Sequence, residues 1–140
     1  MARETLYNKV LARLSLPVAL RSANTTVNGT AVDRADPTGG YDGFNSAMAV
    51  VVTGTITDGT HTVTVQDSDD GSTGWAAAAA EYTQGAAVIA STDDNTVLEI
   101  GYTGSKRYLR LSVTTAGATT GGTFGGVIVL GDPSREPVQR

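Results

Sequence analysis

Thr57-Asp58-Gly59-Thr60-His61-Thr62-Val63-Thr64-Val65-Gln66-Asp67 decides the fold class. Asp-Gly at 58–59 signals a hairpin, because both residues tolerate the backbone angles of a tight reversal. Behind it the side chains alternate. Val63 and Val65 fall on one face, and Thr62, Thr64 and Gln66 on the other. That is the period of a strand with one face in a core. Asp69-Asp70-Gly71-Ser72 closes the strand with a second turn.

Working outward, the same grammar recurs. Thr26 to Asp33 is a short strand, and Asp36-Pro37-Thr38-Gly39-Gly40 a loop punctuated by Pro and Gly. Phe44 to Thr53 contains Met48-Ala49-Val50-Val51-Val52, expected as a buried central strand. Trp75, expected in the core, precedes Ala76 to Ala80, which read as an irregular strand or crossover. Val88 and Ile89 begin another strand. Thr96 to Tyr102 places Leu98, Ile100 and Tyr102 on one face. Tyr108 to Thr115 turns Leu109, Leu111 and Val113 inward, with Arg110 and Ser112 outward. After a glycine-rich loop at 117–122, Phe124 to Leu130 is the last strand. Seven or eight short strands at this spacing predict an all-β chain: an antiparallel β-sandwich, jelly-roll-like, over residues 23–133.

Composition agrees. The chain has 140 residues, enough for one domain, with 17 glycines and only 17% charged residues. Thr, Val and Ile branch at Cβ and suit a pleated surface. There is no cysteine, so disulfides, thiolate ligands and cysteine nucleophiles are excluded. No apolar run is long enough to span a membrane, and no signal peptide is expected. Charge is uneven. Residues 1–22 hold Arg3, Lys9, Arg13 and Arg21 against Glu4; residues 23–130 hold four cations against eleven acids. An acidic body argues against nucleic acid as a partner.

The ends stand apart. Residues 1–22 are expected to form an N-terminal arm, with a short helix over 3–14 that stripes Leu6, Val10 and Leu14 at i, i+4 and i+8. Such a helix is marginal alone in water, so the arm is expected to gain order from a neighbouring copy or another protein. A homo-oligomer follows, with a trimer favoured. Folding back over a sheet edge is the other course open to the arm. Residues 134–140 are expected as a polar tail.

Chemistry is sparse. His61 is the lone histidine and is expected to be solvent-exposed beside its turn, so no Ser-His-Asp triad is proposed. Asp67, Asp69, Asp70, Asp93 and Asp94 could supply oxygens to calcium, but the spacing lacks the EF-hand pattern, and turn chemistry explains Asp at these places. No metal and no cofactor are expected. Gly101 to Lys106 lacks the Gly-Lys-Ser/Thr of a phosphate loop and leads into a strand. Lys106, Arg107 and Arg110 form a small basic cluster; at period two Lys106 and Arg110 share the outer face with Tyr108 between them, where Arg stacking on Tyr108 is expected, a candidate docking patch. Tyr41 and Phe44 flank a loop and are candidate contacts to a neighbouring subunit. Asn24-Thr25-Thr26 and Asn28-Gly29-Thr30 match the glycosylation acceptor pattern, as a Thr-rich chain does by chance.

Four blocks carry a resemblance: Asp58 to Val63, Gln66 to Ser72, Gly101-Tyr102-Thr103-Gly104-Ser105-Lys106-Arg107-Tyr108-Leu109-Arg110-Leu111, and Gly125-Gly126-Val127-Ile128-Val129-Leu130-Gly131-Asp132-Pro133. In this order they resemble the head-decoration (cement) proteins of tailed bacteriophages, over roughly residues 26–133. Asp36 to Gly43 and the alanines after Trp75 depart from that pattern. The resemblance implies a structural virion protein on the outer capsid surface, made and assembled in the host cytoplasm. Its partners would be the major capsid protein and further copies of itself, and it offers no catalytic residues. A carbohydrate- or receptor-binding module of a phage particle is the alternative. A jelly-roll hydrolase is disfavoured by one histidine and no obvious carboxylate pair.

Overall fold

The computed structural model describes residues 5–37 and 43–140. The alternation of Thr62 to Asp67 builds a strand, and so do its counterparts along the chain. In order these are α1 (Leu6–Lys9), β1 (Leu11–Arg21), β2 (Thr26–Asn28), β3 (Val32–Asp33), β4 (Phe44–Ile56), β5 (Thr60–Ser68) and β6 (Ala76–Ala77). One 3₁₀ turn (Ala80–Tyr82) separates these from β7 (Thr83–Gln84), β8 (Ala87–Ile89), β9 (Val97–Tyr102), β10 (Tyr108–Ala116) and β11 (Gly122–Pro133). Among the described residues no helix is long and apolar enough to cross a membrane.

Two antiparallel sheets pack face to face. Sheet I runs β1-β11-β4-β9-β7; sheet II runs β2-β10-β5-β6, with β3 also on β10 and β8 also on β5. Consecutive long strands cross between the sheets, β4 to β5 and β10 to β11, which is jelly-roll connectivity. The expected all-β sandwich is therefore the fold. The Asp58-Gly59 turn is no hairpin, however. It carries the chain from sheet I to sheet II, and Gly59 takes φ +88° to do so.

The core lies between the sheets. Leu16, Val51, Ile100, Phe124, Ile128 and Leu130 of sheet I meet Val63, Val65, Leu109, Leu111 and Val113 of sheet II. Leu98, expected inside, is only partly buried. Gly126 sits where an inward side chain would be, because a Cβ there would stand 2.6 Å from Leu111 Cδ1. The leucine of one sheet fills the space that the glycine of the other leaves. Ser112, expected to point outward into solvent, is buried. It is a small side chain between Thr64 and Asn28 on the flanking strands, and its hydroxyl donates to Asn28 Oδ1 at 2.8 Å.

The N-terminal arm is corrected. Helix is confined to Leu6–Lys9, with the Thr5 hydroxyl accepting the Asn8 N–H. From Leu11 the chain is extended and pairs with β11 from Leu11↔Leu130 to Arg21↔Gly122. Backbone pairing outweighs the weak helical stripe, because β11 would otherwise expose a hydrogen-bonding edge. Residues 11–21 are thus part of the sandwich, and Leu11 and Leu16 are in its core. The tail also docks. Val138 is buried, its N–H donates to the Asn8 carbonyl at 3.0 Å, and the Arg140 guanidinium stacks on Tyr7 at 3.6 Å.

Candidate functional site

The basic stripe at the start of β10 is engaged within the chain. Lys106 Nζ lies 3.9 Å from Asp67 and 3.8 Å from Asp69. Arg107 grips Asp33 with two bonds of 2.8 and 2.9 Å, which holds the Asp33 carboxyl below its ordinary range and raises the guanidinium. It is Arg107 that stacks on Tyr108, at 5.1 Å. Arg110 instead donates to Gln66 Oε1 at 2.7 Å and lies 4.3 Å over Trp75. So Trp75 is half-buried on the surface rather than a core plug. The ring face on which a sugar would stack is already covered by a cation. Lys106 is offset by Asp67 and Asp69, whereas Arg110 keeps its charge against neutral Gln66 and Trp75 and is held in place by them.

Phe44 is corrected. It is buried at the start of β4, so it is not a contact for a neighbour. Tyr41 lies outside the described residues. Beside Phe44, Arg34 is buried and donates to the carbonyls of Gly104 (3.1 Å), Lys106 (2.8 Å) and Asn45 (2.9 Å). Burial lowers its guanidinium pKa. This cation staples the 103–107 loop to β4, a role with no periodic signal in the sequence.

His61 is also corrected. It is wholly buried, and its ring stands 5.0 Å from that of Phe124. Nε2 faces the Asp58 carbonyl at 3.2 Å and so donates to it; Nδ1 meets the Thr115 hydroxyl at 2.9 Å. The crossing at Asp58 explains the burial, since a turn between sheets leads straight into the core.

The acids hold backbone. Asp58 accepts N–H groups from Thr119, Thr120 and Gly121, and that cradle lowers its pKa, Gly121 first. Asp70 takes the Thr73 hydroxyl and the N–H groups of Thr73 and Ser72, which depresses it further. Asp93 accepts from Ala90 and Asp94 from Ile56. Asp67 accepts the Tyr102 hydroxyl at 2.8 Å, and burial followed by this bond pushes the phenol up to about 12. Among the described residues, no group of three acids or histidines is placed to hold a metal ion.

What the sequence concealed is the contrast between the two outer faces. Sheet II has a mainly polar outer face: Thr114 pairs with Thr62 and Thr26, buried Ser112 with Thr64 and Asn28, and Arg110 with Gln66, with exposed Val88 beside Thr62 at its edge. Sheet I is aliphatic outside. Cross-strand rows run Ala12–Val129–Met48–Gly101 and Leu14–Val127–Val50–Glu99, and Val52 pairs with Val97 beside Gly125. Val52 and Val97 are 51% and 57% exposed. Val18 of β1 sits over Gly125, where a Cβ would stand 2.8 Å from Val18 Cα, and is 69% exposed. Of the predicted arm residues, Leu14 joins this face, half-buried Val10 borders it, and Leu6 is exposed on α1 beside Tyr7. The signal was present in Met48 to Val52 and Val127 to Leu130. Near-continuous apolar strands are the mark of a sheet covered on both sides, and here the chain covers only one.

No family model matches the chain, and no curated protein does. A solved structure described as "Crystal structure of PirA" aligns over 92% of this chain and 96% of that one, at 14% identity and a TM-score of 0.39. A likeness of that degree carries no argument about fold or function.

Proposed function

We propose that the chain is a structural protein of a tailed-phage particle, a head-decoration protein that docks on the outer capsid surface and carries out no chemistry of its own. Its partners on this reading are the major capsid protein and further copies of itself. The observation that supports it most is the aliphatic outer face of sheet I. A monomer would leave that face in water, whereas soluble monomers seldom expose so continuous an apolar patch. Assembly into a shell covers it. The commitment of His61, Asp58, Asp67 and Asp70 to structural hydrogen bonds supports a role without catalysis. The resemblance of the four sequence blocks to head-decoration proteins points the same way.

The test is the composition of particles. In purified particles of the phage or prophage that encodes the chain, peptide mass spectrometry should find it at a fixed ratio to the major capsid protein. Its absence from intact particles would overturn the proposal.

A further inference from the structure

Arg34 is a buried cation without a counter-charge. The residue is 6% exposed, and no carboxylate among the described residues lies within ion-pair distance of it. Three carbonyls, those of Gly104, Lys106 and Asn45, hold its guanidinium, which lies 5.4 Å from the centre of the Tyr102 ring. Carbonyl dipoles and a ring face orient a cation but leave its charge whole. A charge taken out of water is costly unless an opposite charge meets it. Burial accordingly lowers the pKa of this guanidinium. Its Nε is buried with no hydrogen-bond partner. Arg107 shows what that edge of a guanidinium ordinarily takes, since its Nε and Nη2 go to the two oxygens of Asp33. The same edge of Arg34 has one carbonyl on Nη2 and nothing on Nε.

The guanidinium borders a cleft of about 500 Å³, set between the residues after β3, the start of β4 and the 103–107 loop. All three carbonyls that accept from it belong to residues that line this cleft. The lining includes Lys106 and Arg107 as well, and no acid, in a body where acids outnumber cations. Lys106 and Arg107 are offset by Asp67, Asp69 and Asp33, so Arg34 supplies the unbalanced charge. Thr103 and Ser105 add exposed side-chain hydroxyls at the rim. These donors are more than the two oxygens of a carboxylate can use. A phosphate offers more acceptor oxygens and a larger negative charge.

We propose that this cleft binds a phosphate group, free or carried as a monoester, with Arg34 as the buried positive charge and Thr103 and Ser105 donating at the rim. The site does not depend on the decoration reading. The experiment is titration of the full chain with inorganic phosphate and, separately, with glycerol phosphate, at constant ionic strength, followed by amide NMR. Saturable shifts with a dissociation constant on the order of 1 mM are expected. They should fall on the backbone amides of Ser105, Lys106 and Arg107 and on the Arg34 Nε–H, which burial protects from exchange with water. Tighter binding of the ester identifies a phosphomonoester, and tighter binding of the ion identifies free phosphate; either supports the site. Acetate should bind about threefold more weakly or worse. Ser105→Glu, at an exposed position, sets a fixed carboxylate at the rim and should weaken phosphate binding about tenfold in a folded chain. Arg34→Met should abolish binding; because it also removes a staple of the fold, Ser105→Glu carries the decision. Shifts that never saturate, that scatter over the surface, that leave the Arg34 Nε–H unmoved, or that persist in Ser105→Glu would overturn the site. Equal affinity for acetate would overturn phosphate as its ligand.

Discussion

The Ser15 hydroxyl accepts the backbone N–H of Leu111 at 2.9 Å, joining residues 96 apart in sequence and on different sheets. The same hydroxyl donates to the Thr30 carbonyl at 2.8 Å, and Ser15 is fully buried. The first long strand is therefore stitched to both layers. Ser15→Ala should cost about 1–3 kcal/mol, because it strands a buried donor and a buried acceptor. Deletion of residues 1–22 should abolish cooperative unfolding altogether, since it removes β1, Leu11 and Leu16 from the core. A truncated chain that melts like the full one would contradict this placement.

Leu111 fills the space above Gly126, so the two positions should fail in opposite ways. Leu111→Ala should lose about 2–5 kcal/mol through the cavity it leaves. Gly126→Val should lose stability through overpacking, by about 1–3 kcal/mol or more. Combining Gly126→Ala with Leu111→Val should cost less than the separate losses added together. Denaturant titrations of the set decide it.

Tyr102 makes the alkaline side informative. Its phenol is pushed up to about 12 by burial and by donation to Asp67. A raised pKa means the neutral form is favoured in the fold. That stability is complete below the unfolded value of about 10 and is lost as pH rises through the folded value. Melting temperature should therefore fall from about pH 10 upward. Tyr102→Phe should flatten that fall, while costing about 1–3 kcal/mol at neutral pH because Asp67 loses its buried donor.

Asp58 makes the acid side informative. Three backbone N–H groups depress its pKa, so its contribution is present above the unfolded value of about 3.9 and lost as pH falls through the folded one. Asp33 and Asp70 act in the same direction. Stability should decline below about pH 4, and Asp58→Asn should reduce that slope while loosening the 119–121 loop in hydrogen exchange. Superimposable acid profiles for the two proteins would refute the cradle.

Much of this architecture was legible in the chain. Alternation placed Val63, Val65, Ile100, Leu109, Leu111 and Val113 in the core correctly, because period two with one buried face leaves a direct trace. Positions fixed by crossing between sheets left none. His61 follows a turn that reads as a hairpin, and only the partition of β4 and β5 into different sheets buries it. The strand at 11–21 was hidden by a weak helical period that tertiary pairing overrode. The outer face of sheet I was hidden differently. Val50 and Val52 looked like core because their run is apolar throughout, yet only the inward side of β4 is covered by sheet II, and Val52 is 51% exposed.

On the proposed function, this chain docks on a virus shell. Cosedimentation tests it most directly: the folded protein is added to heads of its own phage that lack it, and the pellet is assayed across a concentration series. The account predicts saturable binding at a fixed ratio to the major capsid protein, with little binding to unassembled capsid subunits. Folded protein that stays in the supernatant at every concentration would contradict it.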